Sequence, residues 1–282
     1  MSANNDHTFV IKPKRSLWDV NLRELWQYRD LLMLLVKRDF ISVYKQTILG
    51  PVWFFIQPLL TTFTFTIIFG MVAKISTGGI PEMLFYLTGI TFWNYFSSCL
   101  TSTSNTFVSN ASVFGKVYFP RLIVPLSVVI SNLMKLAIQF VLLVGVWAYY
   151  LLFSDTIHPQ ITLVFMPVIL LLFALMGLGF GLIFSAMTTK YRDLSFLIAF
   201  GVQLLMYGSA VIYPVSVVAA DKQWILFLNP LIPLMEAIKF SFLGEGILNW
   251  AYIAYSSVFT IIVLIIGVLV FNKVEKGFID TV

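Results

Sequence analysis

The side chains that could carry chemistry in this sequence are few, and they form no catalytic or nucleotide-binding pattern. His7 and His158 lie far apart, so they provide neither a metal cluster nor a nucleophile–base pair. The glycines of "GLGFG" at 177–181 would bind a nucleotide only after a strand of a βαβ unit, which the surrounding apolar sequence lacks. The Gly115-Lys116 pair is followed by valine, with no glycine five residues earlier, so it is not a Walker A loop. We expect no bound metal, no ATP site and no enzyme activity in this chain.

Lys135 is the one charged residue whose position points to a site. It lies roughly midway along an apolar run that extends from Arg121 to Phe153. A charge at the centre of a membrane span costs about 2.5–3.5 kcal/mol on insertion scales, so the amine should face the protein interior or a water-filled path, near Gln139. One interpretation is contact with an anionic group on a substrate. The other is a lysine that reaches a membrane interface because the span is shifted, and the sequence leaves both open.

Aromatic residues make up 16% of the chain and crowd several of its apolar segments. Flat rings with amphipathic edges suit the apolar faces of sugar rings, so a path lined by them would let a glycan slide. Many of these rings equally suit a membrane-interface belt or contact with lipid. The candidates for contact with a substrate are, together with Lys135, the aromatic residues Trp53, Phe54, Phe92, Trp93, Tyr207 and Tyr213.

The overall composition indicates which elements must hold these residues. The chain has 282 residues, of which 11% are charged, whereas soluble domains carry about 25% charged residues. We therefore predict an all-α membrane protein with several spans. The net charge of +5 does not indicate nucleic-acid binding, because the cations flank apolar runs as they do beside membrane spans. The single cysteine, Cys99, excludes an intrachain disulfide, and we expect no secretory signal.

Uncharged segments of about 20 residues or more mark the membrane spans. We predict a cytoplasmic tail with an amphipathic interfacial helix at 1–45 and a transmembrane domain at 46–282. An outer region at 214–249 is too long for a turn and too short for two spans, and its apolar stretches of about 13 residues predict short re-entrant helices. The six predicted spans are 48–73, 83–104, 122–153, 161–188, 194–213 and 250–272.

The lysines and arginines outside the spans give the orientation. If the N-terminus is cytoplasmic, all of them lie in inner segments except Lys74, Lys222 and Lys239. This bias is the positive-inside signal, so both termini are predicted to be cytoplasmic.

The segment 16–45 has apolar residues at three- and four-residue steps and charged residues on the opposite face, which predicts an amphipathic helix in the membrane interface. It is either a membrane anchor or a surface shared with a cytoplasmic partner. Gly50 should end this helix and Pro51 begin the next, in which Pro58 predicts a kink. The aromatic and basic residues of interest on the segment are Trp18, Arg23, Trp26, Arg29, Lys37 and Arg38.

Two shorter patterns concern packing. Gly177 and Gly181 have the small-xxx-small spacing of a close helix contact. In the outer region, Asn229 is a suitable helix start, and Glu236 and Lys239 lie three residues apart and could pair.

Three stretches of the sequence, with the loop at 110–122 and the closing "FNKVEKGFIDTV", resemble the membrane subunit of type-2 ABC exporters. The resemblance is narrower to the exporters of O-antigen and capsule polysaccharide and to their teichoic-acid relatives, and it covers nearly the whole chain. The three stretches are "LRELWQYRDLLMLLVKRDFISVYKQTILGPVWFFIQPLL" at 22–60, "KVYFPRLIVPLS" at 116–127 and "LNPLIPLMEAIKF" at 228–240.

The resemblance implies a homodimer of six-span subunits in the bacterial cytoplasmic membrane, with two separate ATPase chains that bind ATP and Mg. Spans one and five would line a channel for an undecaprenyl-diphosphate-linked polysaccharide, and the basic N-terminal helix would attract the diphosphate. The loop "NASVFGKVYFPRL" would carry the helix that meets the ATPase, with the coupling candidates Ser112, Phe114, Lys116, Tyr118 and Arg121.

Three other functions compete with polysaccharide export. The cargo could be teichoic acid or another polyol phosphate, since the motifs are shared by exporters of different polymers. An intramembrane enzyme acting on lipid-linked glycans lacks an obvious pair of catalytic groups. A proton-coupled transporter would need inward-facing acids or histidines, and mid-span acids are absent from the sequence.

Overall fold

The computed structural model describes residues 22–45, 47–114 and 119–279, and within these ranges every regular element is helical. Short 3-10 turns at Gly50–Val52, Ile161–Phe165 and Val215–Val217 and a π-helical stretch at Thr66–Val72 accompany the α-helices. The α-helices are α1 (Leu22–Gln27), α2 (Arg29–Tyr44), α3 (Trp53–Phe65), α4 (Glu82–Ser104), α5 (Thr106–Phe114), α6 (Ile123–Phe153), α7 (Met166–Lys190), α8 (Leu194–Tyr207), α9 (Gln223–Phe227), α10 (Leu231–Leu243) and α11 (Trp250–Ile279).

Among the described residues, four helical stretches are long and apolar enough to cross a membrane. Two predicted spans do not meet that description. Helix α4 has the length, at 23 residues, but carries a row of hydroxyl and amide side chains. Helix α8 has 14 residues and is about 21 Å long, against a hydrocarbon thickness of about 30 Å. The part of the chain that the structure describes is therefore an all-helical membrane protein with four candidate spans, which are Gly50–Val72, Ile123–Phe153, Ile161–Lys190 and Trp250–Glu275.

Helix α4 is polar because it forms the centre of the bundle. It contacts α3, α6, α7, α8 and α10, and most of its residues are buried in the protein. The hydroxyls of Thr88 and Thr91 donate to the carbonyls of Leu84 and Leu87, at 2.8 and 2.7 Å, so these polar groups are satisfied within the helix. A helix enclosed by other helices does not need an apolar surface for lipid, which explains its low hydropathy.

Glycines let α7 pack closely between α4 and α11. A Cβ atom added to Gly181 would lie 2.5 Å from Cβ of Thr103 on α4, and one on Gly177 would lie 2.9 Å from Cβ of Cys99. On the opposite face, Gly179 approaches the backbone of Leu264 on α11. The predicted contact face of Gly177 and Gly181 is therefore confirmed, since neither position has room for a side chain.

The first candidate span begins at Gly50, whose φ of +53° suits glycine. Helix α3 stays α-helical through Pro58, where the sequence predicts a kink, and the departure from α geometry comes later, at the π-helical stretch. The hydroxyls of Thr61 and Thr64 donate to carbonyls four residues earlier, at 2.9 and 2.8 Å. These threonines therefore expose little unsatisfied polarity to their surroundings.

Two predicted boundaries are wrong. The N-terminal helix, predicted to end at Gly50, already ends at Tyr44, and it is divided at Tyr28 into α1 and α2. Helix α8 ends at Tyr207, six residues before the predicted end of the fifth span, and Gly208–Tyr213 follows an irregular path. Side chains distant in sequence provide hydrogen bonds to the backbone carbonyls of this segment. Lys239 donates to the carbonyls of Ala210 and Tyr213, and Asn229 donates to that of Gly208.

The bundle has two ends with different chemistry. The end that contains α9, α10 and the first turns of α4 and α11 is called here the α10 end, and α10 is almost entirely buried there. The Asn229 side chain accepts from the Leu231 amide at 3.1 Å to start α10, and Gly244 ends it at φ +81°. The opposite end, called the α5 end, contains α2, α5, the last turns of α4 and α7 and the first turns of α6.

Candidate functional site

A polar cleft of about 620 Å³ opens between α2, α4, α5 and α6 at the α5 end. The floor is formed by buried residues of α6, among them Ser131 and Asn132, whereas Arg38 on α2 is exposed at the rim. Apart from Val124 and Val128, its lining is polar. The polar residues are Arg38, Asp39, Ser42, Thr101, Ser102, Asn105, Ser109, Asn110, Ser131, Asn132 and Lys135.

Lys135 lies in this cleft and is half-buried. Its Nζ donates to Oδ1 of Asn132 at 2.9 Å, one turn earlier on α6, and not to Gln139, one turn later. Side chains on a helix lean towards its N-terminus, which directs the amine towards the α5 end. Lys135 lies about 18 Å along α6 from Ile123, and it is the one charged residue of that helix.

Arg38 and Asp39 form an ion pair at the rim of the cleft. Nη2 and Nε of Arg38 lie 2.7 and 2.9 Å from Oδ1 of Asp39. Nη2 also reaches Oδ1 of Asn110 on α5 at 3.5 Å, which connects α2 to α5 across the opening. Asp39 also interacts electrostatically with Lys135. The cleft therefore contains two cations and one carboxylate, a net charge of +1.

The helix break in α5 exposes further polar groups to the cleft. Asn110 has non-helical backbone angles within α5, at φ −116° and ψ 15°. Asn105 and Asn110 each donate to the carbonyl four residues earlier, at 3.0 Å, so their amide oxygens are turned outwards as acceptors. Asn105, Ser102 and Ser109 were not among the predicted site residues, although they lie in a conspicuously polar run, TSTSNTFVSNAS at 101–112, around the end of the predicted second span.

A hydrophobic cluster beside the cleft joins α5 to the ends of four other helices. Phe107 and Phe114 of α5 pack with Phe271 of α11, and the Phe107 and Phe271 rings stack at 4.6 Å. Leu35 of α2, Ile123 of α6 and Leu182 of α7 belong to the same cluster. A displacement of α5 would therefore act on α2, α6, α7 and α11 together.

Arg121 connects α5 to α11 through a second contact. Its guanidinium lies over the Phe114 ring at 5.3 Å, and Nη1 donates to the carbonyl of Glu275 at 3.2 Å. Burial lowers the pKa of Arg121, while the charge of Glu275 raises it. Of the other coupling candidates, Phe114 is buried and Ser112 is exposed. Lys116 and Tyr118 lie outside the described residues.

The predicted aromatic contacts separate into buried and exposed groups. Phe92 and Trp93 lie in the largest hydrophobic cluster, where Phe92 packs edge-on against Phe140 at 6.4 Å. Their side chains have no surface to offer a substrate in this arrangement. Trp53 on α3 and Tyr207 on α8 are 44% and 45% exposed. Of the other two candidates, Phe54 is buried and stacks on Phe40 at 5.7 Å, and Tyr213 is half-buried in the irregular segment after α8.

The N-terminal candidates lie mostly on the exposed side of α1 and α2. Trp26 is 71% exposed, with the Arg29 guanidinium 5.9 Å from its ring, and Arg23 and Lys37 are exposed as well. Leu35 and Val36 form the buried face of α2 against α6, as the amphipathic pattern predicts. Only Arg38 among these cations reaches the cleft, and Trp18 lies outside the described residues.

An apolar groove of about 400 Å³ lies on another side of the bundle, between α4, α7 and α8. Phe180, Phe184 and Met187 of α7 face Leu197 and Gly201 of α8 across it. Helix α8 is otherwise poorly covered, since Val202 is its one buried residue.

Comparison with known proteins assigns the chain to a family. Residues 30–243 match the family described as ABC-2 type transporter. This range extends from α2 through α10, so it includes the whole cleft and the buried helix α10. The match confirms the resemblance found in the three sequence stretches.

Curated relatives align with almost the whole chain. An O-antigen export system permease protein RfbA from Klebsiella pneumoniae is 28% identical over 89% of this chain and 94% of its own length. A protein of the same name from Myxococcus xanthus is 27% identical over 77% of this chain and 82% of its own length. The capsule polysaccharide export inner-membrane protein CtrC of Neisseria meningitidis is 20% identical over 91% of this chain and 95% of its own length.

Proposed function

The chain belongs to the ABC-2 type transporter family, and from this premise we propose that it is the membrane subunit of an ATP-driven exporter of lipid-linked polysaccharide. The observation that carries the proposal is the alignment, over nearly the full length, with permeases named for O-antigen export and with a capsule polysaccharide export protein. The cargo is then an O-antigen-like or capsule-like polymer on an undecaprenyl-diphosphate carrier.

The proposed topology has six spans with both termini in the cytoplasm. Helices α4 and α8 are the two spans added to the four apolar ones. Burial of α4 supports this assignment, because a central helix can cross the membrane without an apolar surface. Helix α10 and the short α9 are re-entrant helices of the outer face. Non-spanning structure is tolerated at membrane depth when it is buried in protein and its backbone groups are hydrogen-bonded; α10 is almost entirely buried, and the Leu231 amide at its start is bonded to the Asn229 side chain.

Two copies of the subunit form the channel in this proposal. Helices α3 and α8 support it, because both expose most of their surface in a single copy and both carry exposed aromatic candidates, Trp53 and Tyr207. In a homodimer these helices would meet a second copy and enclose a path lined by aromatic rings. Such rings hold the apolar faces of sugars weakly and allow movement.

Two cytoplasmic ATPase subunits, which bind ATP and Mg, drive the transport. Helix α5 is the element they push. Its buried face belongs to the cluster that joins α2, α6, α7 and α11, and Arg121 connects the same region to the carbonyl of Glu275. A movement of the ATPases would therefore reach the ends of several helices at once.

Deletion of the gene in its host tests the function. We expect surface polymer to be absent and lipid-linked polymer to accumulate on the cytoplasmic side, and re-expression of the chain to restore the surface polymer. Lipid extraction of spheroplasts and an outer-surface polymer stain measure the two pools. Normal surface polymer in the deletion strain would reject the proposal. Accumulation of a polyol-phosphate polymer instead would assign the chain to teichoic-acid export.

A further inference from the structure

We propose that the polar cleft between α2, α4, α5 and α6 binds a phosphate group carried by a membrane lipid, with Lys135 and Arg38 as its cationic contacts. The inference rests on the proposed function in one respect, since the lipid it assigns is the diphosphate carrier of the exported polymer. Ordinary anionic phospholipids share this chemistry, and the experiment below separates the two sources.

The charges of the cleft favour an anion. Asp39 is paired with Arg38 at 2.7 Å and also attracts Lys135 electrostatically, but among the described residues Lys135 donates a single hydrogen bond, to the neutral side chain of Asn132. An ammonium group has three donor protons, so two remain for a ligand. Hydrogen bonds from a cation to a phosphate oxygen are roughly twice as strong as neutral ones.

The neutral lining supplies complementary groups. Ser102 and Ser109 are exposed to the cleft and, within the described part of the chain, their hydroxyls have no hydrogen-bond partner. The amide oxygen of Asn105 can accept a hydrogen bond from a sugar hydroxyl, and that of Asn110, which already accepts from Arg38 at 3.5 Å, has a second lone pair for one. Hydroxyl donors, amide acceptors and two cations suit a phosphate with an attached sugar. The volume of about 620 Å³ lies within the range of small-molecule sites.

The surface beside the cleft favours a lipid over a free phosphate ion. Leu133 and Met134 follow Asn132 on α6 and are 40% and 41% exposed, and Val141 lies further along the same helix at 66%. An apolar chain can therefore lie against α6 while its headgroup enters the cleft beside Lys135. A soluble anion would gain nothing from this apolar surface.

Binding measurements on the full purified chain test the inference. The probes are undecaprenyl diphosphate, undecaprenol as its uncharged counterpart, and phosphatidylglycerol as an ordinary anionic phospholipid, each titrated by native mass spectrometry. The variants are Lys135→Met, Lys135→Arg and Arg38→Gln. Lys273→Met is the matched control, because Lys273 is an exposed lysine outside the cleft, near the last turn of α11 at the same end. Size-exclusion profiles establish that each variant is folded.

We expect undecaprenyl diphosphate to bind more tightly than undecaprenol. Lys135→Met should weaken it by about tenfold or more, since a hydrogen bond to a charged group contributes that much to affinity. Arg38→Gln should weaken it by a smaller factor and Lys135→Arg should retain most of the affinity, because the arginine keeps the charge. Lys273→Met should bind as the wild type does.

Unchanged affinity in both Lys135→Met and Arg38→Gln would overturn the inference. If the variants lose affinity for phosphatidylglycerol as strongly as for undecaprenyl diphosphate, the cleft binds lipid phosphate in general. The assignment of the exported polymer's carrier as its ligand would then be rejected. Failure of the inference is distinguishable from failure of the proposed function. If deletion of the gene blocks export while Lys135→Met binds and exports normally, the cleft assignment alone fails; if deletion leaves export intact, the function fails whatever the binding results.

Discussion

The buried pair of Lys239 and Glu236 provides a quantitative test of how the α10 end is held together. Both side chains are almost completely enclosed, at 2% and 1% exposure, and Nζ lies 3.8 Å from Oε1 of Glu236. Lys239 also donates to the carbonyls of Ala210 and Tyr213 and lies 4.1 Å from the centre of the Phe85 ring. Oε2 of Glu236 accepts from the Ile247 amide at 3.1 Å.

The two single substitutions should lower the free energy of unfolding by different amounts, because they leave different buried groups without a partner. Lys239→Met leaves the Glu236 carboxylate without its cation and two backbone carbonyls without their donor, and breaking a buried ion pair in this way costs about 3–5 kcal/mol. Glu236→Gln keeps an acceptor for the Ile247 amide and leaves Lys239 its carbonyls and the Phe85 ring. We expect that change to cost about 1–2 kcal/mol.

The double variant, with Lys239→Met and Glu236→Gln, decides the mechanism. It removes both charges, so it should be more stable than Lys239→Met alone by about 2 kcal/mol. Thermal unfolding in detergent, followed by size-exclusion chromatography, ranks the four proteins, and Lys222→Met, at an exposed lysine just before α9, serves as the control. Hydrogen exchange should also rise in the 208–213 segment when Lys239 is lost. A double variant as unstable as Lys239→Met would refute the reasoning, because the uncompensated carboxylate would not then be the source of the cost.

Five further substitutions test the packing, the aromatic residues and the coupling contact. Gly181→Leu should abolish folded protein in detergent chromatography, whereas Gly145→Leu, with no atom within 4 Å of an added Cβ, should elute as the wild type. Phe92→Ala should lower the stability by about 3–5 kcal/mol, whereas Trp53→Ala should fold normally and reduce export of surface polymer. Arg121→Ala should leave the partner ATPases bound in pull-down but uncouple ATP hydrolysis from export, and equal coupling in variant and wild type would contradict the role assigned to that contact.

Local sequence patterns were sufficient for the features that depend on neighbours along the chain. The predicted ranges 83–104 and 122–153 lie within one residue of the observed α4 and α6 at both ends. Asn229 and Gly244 bound α10 because a side-chain acceptor and a glycine with positive φ act within a few residues of a helix end. The spacing of Gly177 and Gly181 predicted a contact face for the same reason.

Features that depend on distant residues were not predictable in this way. Helix α8 ends early because Lys239 and Asn229, more than twenty residues later, satisfy the carbonyls that a longer helix would have paired. Phe92 and Trp53 have similar apolar surroundings in sequence, yet one is enclosed and the other exposed. The cleft brings together residues from four helices, so the polar run near 101–112 indicated only the end of a span.

Lys135 and Lys239 illustrate most directly what tertiary structure adds. Each lies in an apolar helix and has a polar partner three residues earlier, Asn132 or Glu236, so the two local patterns are almost the same. Lys239 is enclosed and has a carboxylate and two carbonyls as partners, whereas Lys135 borders an open cleft with donor protons to spare. The same substitution by methionine should therefore affect a different property at each site. Lys239→Met should lower thermal stability, whereas Lys135→Met should lower lipid affinity and leave thermal stability unchanged. Equal effects of the two substitutions on stability would mean that both lysines are structural, and the phosphate site would then lose its main contact.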